Sequence, residues 1–153
     1  ALALASCSSF IRLQCYEGIE SGQALYEWNH ARQYMDIQLA QAHHAPIDSD
    51  QLFTKKYLLE RPLLASITGQ DSKVLLIDEL DRADEAFEAF LLEYLAEFQI
   101  TIPELGTINA DQRPLVVITS NRTRELSDAL KRRCLYQWLD FPSRAREEAI
   151  ISK

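Results

Sequence analysis

The sequence predicts an α/β domain, a three-layer sandwich around a mostly parallel central sheet. Three observations lead there. Val74-Leu75-Leu76-Ile77 and Leu115-Val116-Val117-Ile118 are short, wholly apolar runs, the pattern of strands buried on both faces of a parallel sheet. Each run stops at polar residues, Asp78-Glu79 in the first and Ser120-Asn121 in the second. Between them Phe87, Phe90, Leu91, Tyr94, Leu95 and Phe98 recur at the period of a helix. At 153 residues and 47% hydrophobic content the chain has the size of one domain and enough apolar side chain for a core.

Ala1 to Ser6 reads as the tail of a helix, since the stretch lacks the basic start of a signal peptide. Phe10 to Cys15 alternates polar and apolar, the signature of a strand. Tyr16-Glu17-Gly18 turns the chain. Ser21 is placed to cap a helix whose stripe of Leu25, Trp28, Met35 and Leu39 packs inward and which His43-His44-Ala45-Pro46 ends. Asp48 or Ser49 begins another helix through Leu52, Phe53, Tyr57 and Leu59. Pro62 suits the first turn of a short helix from Leu63 to Ile67, closed by Gly69 in a left-handed conformation.

After the Val74–Ile77 strand, Asp84, Glu85 and Glu88 sit near the start of the next helix, where its dipole favours acids. Gln99–Ile102 and Gly106–Ile108 flank Pro103-Glu104-Leu105 as a β-hairpin or a long loop of hairpin character, which Pro103 keeps outside the central sheet. Thr123 is positioned to cap a helix with Leu126, Ala129 and Leu130 inward and Lys131-Arg132-Arg133 as its last turn. Leu135 to Phe141 alternates again as a strand, Pro142-Ser143 breaks it, and a further helix begins at Arg144.

Sixteen basic against twenty-three acidic residues give a net charge of −7, which offers no general attraction for nucleic-acid phosphates or an anionic membrane. The two short basic clusters are Arg122-Thr123-Arg124 and Lys131-Arg132-Arg133. Cys7, Cys15 and Cys134 have neither paired nor zinc-ligand spacing, so three reduced thiols in a cytoplasmic protein are expected. The adjacent His43 and His44 point to different sides of a helix and lack a third ligand. No apolar run approaches bilayer length.

The chemistry concentrates at Asp78 and Glu79. Ligands of an open α/β sheet bind at the carboxyl ends of its strands, and an apolar strand followed by Asp-Glu has the form of a Walker B segment. There the Asp holds Mg²⁺ through its waters and the Glu polarises the water that attacks a γ-phosphate. A buried strand that merely ends in solvated acids has the same pattern. A phosphoacceptor aspartate at Asp78 starts from it too, but would want a lysine where Asn121 and Arg122 stand.

Four segments together resemble the core of an AAA+ ATPase, and within it the MoxR family, particularly members associated with carbon monoxide dehydrogenase maturation. They are Val74–Arg82, the passage from Leu91 to Ile102, Val116–Arg122 and Asp128–Cys134. The resemblance covers nearly the whole chain: 1–143 corresponds to an incomplete P-loop NTPase large subdomain and 144–153 to the start of the lid. It implies ATP and Mg²⁺ as cofactors, Asp78 as the Mg²⁺-organising acid and Glu79 as the residue that orients the hydrolytic water. Asn121 would be sensor 1. Arg133, with Arg132 as the near alternative, would be the finger that reaches a neighbouring subunit's nucleotide. A finger in trans implies a homo-oligomeric ring, usually a hexamer, that remodels a client protein, with the Ile100–Ile108 hairpin facing the pore or the client.

The sequence departs from the family in one respect. A P-loop needs GxxxxGK[ST], and Gly18, Gly22, Gly69 and Gly106 all lie outside such a context. The resemblance places that loop before the helix that ends in Ala1–Ser6 and the lid's sensor 2 arginine after Lys153, as in a truncated core. This chain alone is expected to bind ATP weakly and hydrolyse almost none. An α/β interaction module without nucleotide chemistry is the alternative.

Overall fold

The structure, a computed structural model, describes residues 8–43 and 49–152. Its centre is a parallel sheet of three strands, β1 (Ser9–Gln14), β4 (Lys73–Asp78) and β7 (Leu115–Ile118), in the order β1-β4-β7. Ile11 lies beside Leu75 and Leu13 beside Ile77, while Leu75 and Ile77 also face Val116 and Ile118 across the other ladder. Alternation therefore divides the sheet into two unlike faces.

One face carries Ile11, Leu13, Leu75, Ile77, Val116 and Ile118 into the core. Helix α3 (Pro62–Ile67) covers it with Leu63, Leu64 and Ile67, and helix α4 (Glu85–Glu97) with Phe87, Leu91 and Tyr94. The other face carries Phe10, Arg12, Leu76, Asp78 and Leu115, and there Phe10 and Leu115 remain 57% and 53% exposed. Burial on both faces of β4 is thus only partly observed. The expected helix at Ala1–Ser6, which would bear on this question, lies outside the described residues.

Helix α4 forms as its periodicity requires. Asp84 caps it by accepting the Phe87 N–H at 2.8 Å, and Phe98 ends it in the left-handed region. The hairpin of β5 (Gln99–Ile102) and β6 (Gly106–Asn109) stands apart from the parallel sheet and packs Ile100 and Ile102 into the core. Gly106 supplies the positive φ of its turn. Helix α3 has Pro62 in its first turn, and Gly69 follows with φ of 82°.

Four expectations are corrected. The helix read from Ser21 through Leu39 is two helices, α1 (Ser21–Leu25) and α2 (His30–Ala42), divided by strand β2 (Tyr26–Trp28). Glu20, not Ser21, occupies the first cap, and Asn29 caps α2 by accepting the Arg32 N–H at 2.9 Å. Met35 and Leu39 are 61% and 56% exposed. The inward residue of α2 is Gln33, whose amide donates to the Leu52 carbonyl at 2.6 Å. Pairing of Tyr26–Trp28 with β3 (Leu58–Glu60) overrides the helical spacing.

The second expected helix, through Phe53 and Leu59, is instead two 3₁₀ turns at Ser49–Leu52 and Lys55–Tyr57 followed by β3; Asp48 and His44 lie outside the described residues. Thr123 caps nothing: helix α5 spans only Asp128–Lys131, with Ser127 accepting the Leu130 N–H at 3.3 Å. Leu135–Phe141 forms no strand, and Leu135, Leu139 and Phe141 are 104%, 84% and 94% exposed. Alternation supplies a strand's pattern, but the strand forms only where a neighbour takes up its backbone hydrogen bonds. Helix α6 (Arg144–Ile151) forms as expected. Among the described residues no helix is long and apolar enough to cross a membrane.

Candidate functional site

The carboxyl ends of β4 and β7 meet through Thr119. Its N–H donates to the Ile77 carbonyl at 2.9 Å, and its own carbonyl accepts the Leu80 N–H at 3.0 Å, which carries the contact between the two strands past their formal ends. The Thr119 hydroxyl then joins the two acids, donating to Asp78 Oδ1 at 2.5 Å and accepting the Glu79 N–H at 3.0 Å. Asn121 Nδ2 stands 3.4 Å from Glu79 Oε1. Asp78, Glu79 and Asn121 therefore form one contiguous cluster at the strand ends, where an open α/β sheet places its ligands.

Asp78 lies on the less covered face of the sheet beside Arg12, whose Nε and Nη2 donate to Oδ2 at 3.0 and 2.5 Å. The Thr119 hydroxyl and then the Arg12 guanidinium hold its carboxyl below the usual carboxylate range, against the opposing effect of burial. Among the described residues Glu79 is one of three non-glycine residues with positive φ, at 55°. An L residue in this region costs about 1–2 kcal/mol, and such strain gathers at functional sites. The turn aims its carboxylate back over the strand ends, where Arg82 Nε pairs with Oε2 at 2.9 Å.

Behind this cluster lie two buried carboxylates. Asp81 is 3% exposed and accepts the backbone N–H groups of Asn121 and Thr123 at 3.1 and 2.8 Å and the Thr123 hydroxyl at 2.6 Å. Burial alone would raise its pKa, but the bonds from Thr123 and Asn121 outweigh that and lower it. Glu88 is 2% exposed and accepts the Ser127 N–H at 2.7 Å and Arg124 Nη2 at 3.0 Å. Its pKa is likewise lowered: Ser127 and Arg124 overcome the desolvation that would raise it. Arg124 also donates to the Ala83 carbonyl at 3.0 Å. The irregular segment from Ser120 to Ser127 is held in place by these two acids.

Arg12, Thr119, Asp81, Glu88 and Arg124 were not among the residues the sequence singled out for the site. Glu88 carried a usable signal: it falls on the same helical stripe as Leu91 and Leu95, and an acid on an apolar stripe must find a cation or donors when buried. Asp81, between the buried Leu80 and Ala83, carried a weaker one.

Arg132 and Arg133 are not brought to the cluster. Both are exposed at the end of α5, where Arg132 Nε donates to the Asp128 carbonyl at 3.2 Å and Arg133 Nη1 to the Ala129 carbonyl at 3.4 Å. A cleft of about 750 Å³ opens between the end of β7 and the 135–142 segment. Thr119 and Asn121 line it, and Asp78 and Glu79 do not. Arg122, over the Trp138 ring at 5.3 Å, spans it.

No protein-family model matches the sequence, and no curated protein matches it. The structure aligns with the crystal structure of a putative ATPase from Cytophaga hutchinsonii at a TM-score of 0.61 and 18% identity over 95% of this chain. The fold is P-loop NTPase-like. The chain spans 38% of the length of that neighbour.

The donor set can be tested against Mg²⁺. Among the described residues no three His, Cys, Asp or Glu side chains converge as a cage, whereas Mg²⁺ in phosphate chemistry needs only one or two carboxylates besides waters and phosphates. Asp78, with its depressed pKa and partly open side chain, fits that role. The phosphate side of such a site has no counterpart among the described residues: Gly18, Gly69 and Gly106 serve turns with positive φ, and Gly22 lies in α1.

Proposed function

We propose that this chain supplies the carboxylate and amide side of an ATP-hydrolysing site in a MoxR-like AAA+ protein that remodels a client. The observation that carries this is the convergence of Asp78, Glu79 and Asn121 around Thr119 at the ends of adjacent parallel strands. The P-loop NTPase-like fold supports it, and so do the four sequence segments that resemble that family.

Asp78 would hold Mg²⁺ through its waters, and the ion would supply charge neutralisation on the phosphate oxygens. Glu79 accepts a hydrogen bond from the attacking water and turns its lone pair toward the γ-phosphorus. The water oxygen bonds to the γ-phosphorus as the bond to the β–γ bridging oxygen breaks, the water's proton passes to Glu79 or to a γ-phosphate oxygen, and ADP and inorganic phosphate leave. Asn121 donates its amide to that water or to a γ-phosphate oxygen. Arg133, or Arg132 beside it, acts on a neighbouring protomer's nucleotide, because a guanidinium fork at a subunit edge can neutralise charge developing on the transferred group. This requires a homo-oligomeric ring, a hexamer by family resemblance, with residues 144–153 opening the lid beyond a core of 1–143. The resemblance favours a metalloenzyme of the carbon monoxide dehydrogenase kind as the client.

The test is phosphate release by the full-length protein with a phosphate loop present. Glu79→Gln is expected to lower kcat by about 100-fold or more, and Arg133→Ala to depress turnover in the assembled ring. Turnover unchanged in both variants would overturn the reading. It would favour the second one, an α/β interaction module, which the absence of a phosphate-cradling glycine among the described residues recommends.

A further inference from the structure

We infer that Asp81 is the positioning residue that sets Asn121 against Glu79, and that it does so through the backbone of the Asn121–Thr123 bend. The inference rests on the ATP-hydrolysing reading above and assigns Asp81 a task that Asp78 and Glu79 do not share. Among the described residues no hydrogen bond joins Asp81 to Glu79's carboxylate or to Asn121's side chain. Its two oxygens instead receive the N–H groups on either side of Arg122, Asn121 on Oδ1 at 3.1 Å and Thr123 on Oδ2 at 2.8 Å, and the Thr123 hydroxyl closes on Oδ2 at 2.6 Å.

That pairing has a physical requirement. Two N–H groups two residues apart converge on a single carboxylate only if the chain bends sharply between them, and Arg122 makes the bend with φ of 60°. A non-glycine residue in this region is strained and persists only where its surroundings impose it. The buried carboxylate imposes it with three charge-assisted bonds, each stronger than a neutral one. Asp81 belongs to the 3₁₀ turn Leu80–Arg82 that follows Glu79 directly. One side chain thus ties the turn bearing Glu79 to the bend bearing Asn121, and so fixes the 3.4 Å approach of the two groups.

Without the carboxylate, three donors lose their acceptor and Arg122 is free to return to an ordinary conformation. Asn121 then leaves Glu79, and a displacement of about 1 Å in such a group costs up to about 100-fold in rate. Because Asp81 is buried behind the cluster, the expected signature lies in kcat and not in KM for ATP.

The experiment uses the full-length protein. Thr123→Val removes the hydroxyl donor while retaining both backbone bonds, and so spares folding where Asp81→Ala does not. Thr123→Val is expected to lower kcat per folded protomer by about 10-fold with KM for ATP unchanged. Thr123→Ser is expected to restore it. In parallel, amide exchange of this 153-residue chain without nucleotide should show Asn121 and Thr123 losing more protection in Asp81→Asn than in Thr123→Val, which leaves both N–H groups their acceptor. A wild-type kcat per folded protomer in Thr123→Val, alongside collapse in Glu79→Gln, would overturn this inference and leave the proposed function standing. Wild-type turnover in Glu79→Gln would remove the function itself, whatever the exchange arm showed.

Discussion

Two pairs of acids lie within eleven residues of one another and are treated in opposite ways. Asp78 and Glu79 stand at the strand ends, partly open to solvent, each with one oxygen toward an arginine that is itself 54% exposed. Asp81 and Glu88 are 3% and 2% exposed, and both their oxygens are spent on named donors of the 121–127 segment. Ion pairs in water contribute about 0–1 kcal/mol, whereas a buried carboxylate that loses its partners, or leaves them unpaired, costs several times that. The outer pair is therefore the one a ligand could reach, and the inner pair holds the 121–127 segment in place.

The sharpest break in this contrast would come from stability measurements. Glu88→Ala deprives the Ser127 N–H and Arg124 of their acceptor, and Arg124 is 30% exposed, so the cost is discounted to about 2–3 kcal/mol. Asp78→Asn, by the exposed-pair argument, should cost less than about 1 kcal/mol. Urea unfolding of the two variants measures both. Equal losses would mean that Asp78 is as structural as Glu88, and the division between the pairs would fail.

A smaller effect follows from protonation. The carboxyls of Asp81, Glu88 and Asp78 all have pKa values below their ordinary 3.8, 4.5 and 3.8. Between the depressed and the ordinary values the folded chain binds fewer protons than the unfolded one, so stability falls as pH falls. The contribution is fully present above the ordinary values and is lost on descent through them and through the depressed ones. The urea midpoint should be flat from pH 7 to about pH 5 in its carboxylate part and drop below about pH 4.5. Glu88→Ala should flatten that drop more than Asp78→Asn does. The reverse order would assign the acid sensitivity to the outer pair.

The sequence reading succeeded where local pattern and tertiary role coincide. β4, α4 and the β5–β6 hairpin were legible because their periodicity, caps and turn residues agree with their final packing. The outer acids were legible because an apolar strand that ends in Asp-Glu is a compact pattern. The α1–β2–α2 region was not, since Tyr26–Trp28 fits a helical stripe until Leu58–Glu60 pairs with it from thirty residues away. Leu135–Phe141 has a strand's alternation without a strand's neighbour. The inner acids escaped for the same reason. Their partners, Thr123, Arg124 and Ser127, lie about forty residues along the chain, and no local pattern records that distance.

The smallest expected effect is also the one that separates strain from function most directly. Glu79 sits at φ 55° and ψ 48°, a conformation that costs an L residue about 1–2 kcal/mol and glycine almost nothing. Glu79→Gly relieves that strain. Against the relief stand the added freedom of glycine in the unfolded chain, about 0.4–1 kcal/mol, and the lost pair with the exposed Arg82, at most about 1 kcal/mol. The balance runs from a loss of about 1 kcal/mol to a gain of about 1.5 kcal/mol and centres near zero, while the ATP turnover proposed for the full-length protein should be lost with the carboxylate. The same change at Phe98, which has φ of 52° but packs against the core, should destabilise. A strained residue whose removal costs activity and no stability is held there for its chemistry. A loss of more than about 1 kcal/mol in Glu79→Gly would instead make the left-handed turn part of the frame and move Glu79 to the inner pair's side of the comparison.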